Sequence, residues 1–285
     1  ANQTIVFGSL PVKTTIDADF SPGATSATSG VNPITYSSSN ESVATIVSGL
    51  IHIIGVGTSV ISASQAGSTN YNAAADVPQT LTVIVPPIAA WDFTGIGSTT
   101  IATTPATIFN PNLVSTSGAN NITRGATAGW SIGVNSWRTQ GFQNNGIATS
   151  NTDYFQITLQ PNAGKVLSLS SIDARFGGTI SFAASPGVSN QFAYSLDGTN
   201  FTLIGSPQVF VSSGGTGTFL ATLTQVDLSG ISALQNIGDG VTVTLRFYAS
   251  GQTTTGGWGF NSPTSGSYGL AIGGSISTIL CSVTT

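Results

Sequence analysis

Apolar and polar side chains alternate one by one in several segments of this sequence. The alternation covers residues 80–85, 155–159, 192–196 and 241–247. Successive side chains of a β-strand point to opposite faces, so each segment is typical of a strand with one face on a core. No helical periodicity competes with this pattern in the first 86 residues. The sequence therefore predicts an all-β protein.

Two adjacent prolines divide the chain into two predicted domains. Pro86 and Pro87 remove two backbone donors and hold the chain extended, which suits a short, stiff spacer better than a central strand. We therefore expect one domain over residues 1–86 and a larger one over residues 88–285. The first has the short, closely spaced strand signals of a β-sandwich. The second has about eight clearer strands, which is typical of a jelly-roll β-sandwich.

The scarcity of charge excludes several classes of partner. Charged residues make up 6% of the chain, whereas ordinary soluble proteins have roughly 25%. The net charge is -4, and the 6 basic residues are scattered singly. We therefore expect no binding of nucleic acid or of anionic membrane surfaces, because both need clustered Lys and Arg. We also expect no membrane insertion, because no apolar run reaches the roughly 18 residues of a membrane helix. The single cysteine, Cys281, and the absence of methionine fit an oxidant-exposed bacterial exterior.

The motifs that suggest an enzyme are incomplete. Residues 129–133 read Gly-Trp-Ser-Ile-Gly and match the G-x-S-x-G nucleophile elbow. An elbow needs a helix after the serine and a histidine base, but no amphipathic helix follows Ser131, and the only histidine, His52, lies in the first predicted domain. The larger domain has no Glu, and its Asp173 is expected to pair with Arg175 on the same strand face. We predict that the protein is not an enzyme.

No metal or cofactor is predicted. His52 stands between apolar strand residues without a second His or a Cys nearby, which favours a structural role. Calcium is the alternative at Asp17 and Asp19, although the two residues also fit a solvated loop. Asp92 is a further single candidate for a calcium ligand.

Two Gly-rich segments, residues 124–146 and 251–268, concentrate aromatic and amide side chains. A sugar ring has an apolar face and a rim of hydroxyl groups, so a glycan site needs flat aromatic rings beside amides or a guanidinium. The candidate ligand-binding residues are Trp130, Trp137, Arg138, Asn144, Trp258 and Asn261. The alternative is that the three tryptophans fill the core or the ends of the sandwich. Their solvent exposure decides between these two interpretations.

A set of short motifs covers nearly all of the first domain. The motifs are Gln3-Thr4-Ile5, Tyr36-Ser37-Ser38-Ser39-Asn40, Val43-Ala44, Gly55-Val56-Gly57-Thr58, Ser62-Ala63-Ser64-Gln65-Ala66-Gly67 and Asn70-Tyr71. Together they resemble a bacterial immunoglobulin-like repeat. Such repeats extend surface adhesins and secreted enzymes away from the cell. The resemblance implies an immunoglobulin-like β-sandwich that serves as a spacer and has no chemistry of its own.

Motifs of the second domain carry a different resemblance. They are Asp173-Ala174-Arg175-Phe176, Tyr194-Ser195-Leu196-Asp197-Gly198, Leu245-Arg246-Phe247-Tyr248-Ala249 and Gly257-Trp258-Gly259-Phe260. They resemble an uncharacterised jelly-roll β-sandwich module that stands beside immunoglobulin-like repeats in multidomain surface proteins exported by type IX secretion. More distantly, the second motif resembles a hairpin of jelly-roll carbohydrate-binding modules. The resemblance implies an extracellular location at the bacterial cell surface.

These observations together predict a non-enzymatic extracellular module of a bacterial cell-surface protein or appendage. Its expected role is structural or adhesive, including filament formation, and its expected partners are other protein subunits or a surface polysaccharide. The alternative is a carbohydrate-binding module pair that tethers a secreted enzyme to a neutral polysaccharide.

Overall fold

Strands dominate the computed structural model, which describes residues 1–27, 32–97, 101–116, 118–142, 144–253 and 256–278. The chain divides into two compact units, Ala1–Pro86 (unit 1) and Pro87–Thr285 (unit 2). The only helical segments within the described ranges are two short 3-10 turns, Ile180–Ala183 and Ser232–Leu234. The all-β prediction is therefore confirmed. No helix in these ranges is long and apolar enough to span a bilayer.

Unit 1 contains eight strands in its described part. They are β1 (Ile5–Val6), β2 (Lys13–Thr14), β3 (Thr25–Ser26), β4 (Ile34–Ser38), β5 (Ala44–Val47), β6 (Leu50–Ile53), β7 (Gly57–Gln65) and β8 (Val77–Ile84). The largest sheet has the order β2-β8-β7-β4, while β1 pairs with β3 and β5 pairs with β6. Alternate residues of β7 and β8, such as Ile61 and Leu81, are fully buried in the core of this unit. The immunoglobulin-like classification stays a prediction.

Unit 2 contains sixteen strands in its described part. They are β9 (Ala89–Trp91), β10 (Thr104–Pro105), β11 (Ile108–Phe109), β12 (Asn121–Arg124), β13 (Trp130–Ser131), β14 (Ser136–Thr139), β15 (Phe155–Leu159), β16 (Lys165–Thr179), β17 (Val188–Ser195), β18 (Thr202–Leu203), β19 (Gln208–Phe210), β20 (Thr218–Thr222), β21 (Val226–Asp227), β22 (Val243–Ser250), β23 (Trp258–Asn261) and β24 (Leu270–Thr278). They form a seven-stranded and a nine-stranded sheet. The jelly-roll classification also stays a prediction.

The two sheets of unit 2 face each other across an aromatic core. The seven-stranded sheet follows the order β10-β12-β15-β22-β17-β18, with β19 also on β17. Phe247 on β22 meets Phe260 on β23 with ring centroids 4.9 Å apart, and it meets Phe176 on β16 at 5.1 Å. Such ring pairs stabilise a core beyond the burial of their area, by about 0.5–1.5 kcal/mol each. Unit 2 is thus a β-sandwich whose interior is filled by rings from both sheets.

The long strand β16 organises the nine-stranded sheet. The main path of this sheet is β11-β9-β24-β16-β23-β14-β13, and β20 and β21 also pair with β16. Backbone hydrogen bonds from Arg175 to Gly269 and from Thr179 to Gly257 place β24 and β23 along one edge of β16. Those from Leu223 to Ala174 and from Ile180 to Gly217 place β20 along the other edge. Because the backbone groups of β16 point to these two edges, its side chains alternate between the core and the outer face of the sheet.

Candidate functional site

The two Gly-rich segments that were predicted to bind a ligand become neighbouring strands. β14 pairs with β23, so that Trp137 lies opposite Phe260 and Arg138 lies opposite Gly259, and β13 pairs with β14. Five of the six candidate residues therefore stand on three adjacent strands: Trp130, Trp137, Arg138, Trp258 and Asn261. Asn144 does not join them, because it is exposed in the loop between β14 and β15.

Strand alternation sends two of these tryptophans into the core. The side chains of Trp137 and Trp258 are both 0% exposed. Trp258 stacks on Phe176 and Phe182, and its indole Nε1 donates to Asn190 Oδ1 at 2.8 Å. A ring without exposed surface cannot stack on a sugar, so the binding role expected for these two residues is corrected to core packing. The physical reason is the period of two, which turns both rings toward the facing sheet.

Arg124 covers the end of the core next to Trp137. Its guanidinium carbon lies 3.9 Å from the centroid of the Trp137 ring, a cation–π arrangement. Its Nη1 donates to the carbonyl oxygen of Arg138 at 2.6 Å. Burial lowers the pKa of Arg124 to about 10, because the charged form loses hydration there. The group therefore serves the packing of this end of the sandwich.

Arg138 points to the outer face but is closed off from solvent. Its Nη1 and Nη2 donate to the carbonyl oxygens of Ile132 and Gly257 at 3.4 and 3.3 Å, and the residue is 6% exposed. A Cβ on Gly133 would lie 2.3 Å from Arg138 Cδ, so the backbone of the β13–β14 turn lies directly over the side chain. Burial lowers the pKa of Arg138 to about 10. Arg138 cannot reach a ligand unless this turn moves, which corrects its expected role as a ligand-binding residue.

Of the six predicted ligand-binding residues, only Trp130 and Asn144 are not buried. Trp130 is partly exposed on the short edge strand β13, and Asn144 is exposed. Ligand binding at these two positions stays a prediction. Ser131, the serine of the G-x-S-x-G motif, is buried and is followed by a turn into β14 instead of a helix. His52 belongs to unit 1, where its Nδ1 lies 2.7 Å from Asp19 Oδ1.

An open cleft of about 280 Å³ lies on the outer face of the nine-stranded sheet. The strands β16, β20 and β23 form it, together with the chain that follows β23. Its lining comprises Arg175, Phe176, Leu220, Ala221, Thr222, Asn261 and Pro263. Asn261 is the one predicted ligand-binding residue among them. The cleft combines a guanidinium, an amide and a hydroxyl group with the apolar surfaces of Leu220 and Pro263.

Asn261 is held in a fixed orientation at this cleft. Its Nδ2 donates to the carbonyl oxygens of Val134 and Asn135, both at 3.1 Å, and to Ser136 Oγ at 2.9 Å. All of these bonds use the amide nitrogen, so Oδ1 keeps its acceptor capacity. Asn261, which lines the cleft, thus ties the β13–β14 turn to β23.

Arg175 is the cleft residue that sequence reasoning misassigned. It was expected to pair with Asp173, but the Asp173 carboxylate accepts hydrogen bonds from Gln225 Nε2 at 2.9 and 3.1 Å. Among the described residues the only ion pair is that of His52 with Asp19, so the exposed Arg175 guanidinium has no carboxylate partner there. The sequence could have indicated the exposure of Arg175, because this residue stands between the apolar Ala174 and Phe176 in an alternating strand.

Two of the aspartates that were considered as calcium ligands instead accept hydrogen bonds that hold loops in place. Oxygens of Asp92 accept from the backbone nitrogens of Thr94 and Gly266 at 2.9 and 2.8 Å. Burial alone would raise the pKa of Asp92, but these hydrogen bonds outweigh it and lower the pKa. Asp17 accepts in the same way from Thr14. No group of three or more potential metal-binding side chains occurs within the described ranges.

Comparison with known proteins yields distant likenesses only. No protein-family profile and no curated protein sequence matches the chain. A carbohydrate-binding module from the β-sandwich superfamily matches 96% of this chain and 98% of its own length, with 9% identity and a TM-score of 0.30. The M60 catalytic domain with two CBM51 domains of Clostridium perfringens ZmpB matches 96% of this chain and 23% of its own, with 10% identity and a TM-score of 0.24. The secreted serine protease VesC of Vibrio cholerae gives 13% identity and a TM-score of 0.21, over 86% of this chain and 40% of its own. Likenesses this distant carry no information about the ligand of this chain.

Proposed function

We propose that this chain is a non-enzymatic adhesive module of a bacterial cell-surface protein and that unit 2 attaches it to a neutral polysaccharide. The observation that carries the proposal is the cleft, where an exposed Arg175 and an oriented Asn261 flank an apolar wall. Unit 1 acts as the spacer that its motifs imply. The module works outside the cell, in keeping with the low charge and the single cysteine.

The chemistry of the cleft suits one unit of a sugar chain. Arg175 donates hydrogen bonds, Asn261 Oδ1 accepts them, and the Thr222 hydroxyl group does both. Leu220, which is 57% exposed, and Pro263 offer apolar surface to the face of a sugar ring. The volume of about 280 Å³ is near the lower end of ordinary ligand sites, so a short stretch of a long polymer is a better fit than a large isolated molecule.

Retention on insoluble or immobilised neutral polysaccharides tests this function. We expect Arg175→Ala to weaken binding about tenfold or more, because a hydrogen bond from a charged donor contributes more than a neutral one. Lys165→Ala is the matched control, since Lys165 is the other basic residue of β16 and lies at its opposite end. Absence of retention on every neutral polysaccharide, or equal retention by both variants, would refute the cleft as the binding site.

The second candidate function is a purely structural one, as a subunit of a surface appendage. The complete burial of Trp137 and Trp258 favours it, because the sandwich is then filled where a sugar reader would expose its rings. Electron microscopy of the purified chain separates the two: ordered polymers support the structural role, and isolated particles that bind glycan support the adhesive one.

A further inference from the structure

The edge strand β20 is open along its outer side. It pairs only with β16 in the described structure, and its five residues make it the longest edge strand in either sheet of unit 2. Its residues alternate between exposed and partly buried, and Leu220 is 57% exposed. A strand at a sheet edge presents unpaired backbone groups that can pair with another chain.

The backbone hydrogen bonds identify which residues face outward. Leu223 N donates to Ala174 O at 2.9 Å, and Ile180 N donates to Gly217 O at 3.3 Å. Residues of odd number in this stretch therefore bond to β16, because N–H and C=O groups alternate sides along an antiparallel strand. Thr218, Leu220 and Thr222 direct theirs away from the sheet. In the described part of the chain, these outward groups have no bonding partner.

Beyond the C-terminal end of β20, the side chain of Gln208 closes the same sheet edge. Its Nε2 donates to Thr224 O at 2.8 Å, and its Oε1 accepts from Thr224 N at 2.9 Å. The side-chain amide thus imitates the strand that would otherwise pair there. Thr224 has the same outward parity as Leu220 but lies two residues beyond the end of β20, so this protection does not cover β20 itself.

β20 also lacks the usual devices against pairing. It contains no proline, no charged residue and no bulge in its register with β16. The whole stretch 211–225 is free of charge. Two copies can therefore approach along this edge without repulsion between like charges.

We propose that β20 is a self-association edge, through which two copies of the chain join their nine-stranded sheets antiparallel about Leu220. With Leu220 opposite its counterpart, Thr218 faces Thr222 of the second copy, and each facing pair exchanges two N–H···O bonds. Threonine pairs and the aliphatic pair on the exposed face add favourable cross-strand contacts. The register is self-complementary, as a two-fold interface requires. The edge uses the backbone of β20, whereas the cleft uses the side chains of Leu220 and Thr222 from the same strand, so the experiments below measure dimerisation and not glycan binding.

Disulfide trapping tests the register. In a Cys281→Ser background, which removes the only native cysteine, Leu220→Cys is expected to form a covalent dimer under mild oxidation. The two Cα atoms would lie about 5.5 Å apart in the facing pair, inside the range that a disulfide bridges. Thr222→Cys is the control, because its counterpart would lie about 14 Å away along the strand. Equal cross-linking of both variants would overturn the proposal.

Sedimentation equilibrium tests the pairing itself. Leu220→Pro removes an N–H that the sheet does not use, and proline is tolerated at such edge positions. We expect its dimer dissociation constant to rise about tenfold or more, while Leu220→Ala keeps the N–H and still dimerises. Melting curves establish that both variants fold. A wild-type chain that stays at 28.7 kDa at every concentration would overturn the proposal, as would a folded Leu220→Pro variant that dimerises normally.

Discussion

Two buried tryptophans with different hydrogen bonding give the sharpest test of the core assignment. Trp137 and Trp258 are both 0% exposed. Trp258 Nε1 donates to Asn190 Oδ1, whereas Trp137 Nε1 has no partner within the described ranges. We predict that Trp258→Phe destabilises unit 2 more than Trp137→Phe does, although both changes remove the same atoms.

The expected difference follows from the atoms left behind. Trp258→Phe leaves Asn190 Oδ1, in a residue that is 1% exposed, without its donor, which costs about 1–3 kcal/mol. Trp137→Phe leaves no such group but weakens the cation–π contact with Arg124 by about 0.5–1 kcal/mol. At the middle of both ranges, the two effects leave Trp258→Phe less stable by about 1 kcal/mol. For a unit of this size, that gap corresponds to a melting temperature lower by about 2–4 °C.

Tryptophan fluorescence measures this gap without interference from unit 1. All 4 tryptophans lie after residue 86, so the signal reports the unfolding of unit 2 alone. Urea titrations give the free energy of unfolding, and thermal scans give the melting temperature. Equal stability of the two variants would refute the reasoning, because it would mean that the bond to Asn190 has no net effect. A ligand-binding defect in folded Trp258→Phe would refute the core assignment itself.

Two further changes test the packing and the charge of unit 2. Gly178→Ala is expected to destabilise it by about 1–3 kcal/mol in urea titrations, because a Cβ would lie 2.0 Å from Trp258 Cε3; Gly129→Ala, with open space around it, is the control. A fall in pH is expected to lower the melting temperature of unit 2. Hydrogen bonds from Asn200 and neighbouring groups hold the pKa of Asp197 well below the usual value of an aspartate. The stabilisation of the folded state by ionised Asp197 is therefore present above about pH 4 and is lost as the pH falls through the folded-state pKa. The melting temperature of Asp197→Asn should therefore fall less in acid than that of the wild type.

Much of the strand pattern could be predicted because one face of each long strand is buried. The predicted segment 155–159 coincides with β15, and the predicted segment 241–247 overlaps β22. Two-residue strands such as β10 and β13 are too short to show alternation, so tertiary pairing alone defines them. The apolar residues Ile180 and Phe182 lie in the 3-10 turn Ile180–Ala183, because an apolar run this short does not determine the type of element.

The candidate site was harder to predict because composition does not reveal the side of a strand on which a residue stands. Trp137 and Arg138 are neighbours in sequence, yet one ring fills the core while the guanidinium lies under a turn. The register between β14 and β23, which decides the partners of both, depends on residues far apart in the chain. Asn261 was predicted as a ligand group and is the anchor of a turn beside the cleft, because an amide fits either role.

The four arginines of unit 2 lie in two kinds of surroundings. Arg124 lies over Trp137, Arg246 lies between the rings of Tyr154 and Phe201 at 3.8 and 3.7 Å, and Arg138 is covered by its turn. In a chain with so few cations, these three are used where a guanidinium stacks on rings or binds carbonyl groups. Arg175 alone is exposed beside a cleft. Its replacement by alanine should therefore change stability by no more than about 0.5 kcal/mol, whereas loss of the aromatic-stacked Arg124 should destabilise unit 2; the reverse order would remove the physical basis for placing recognition at the cleft.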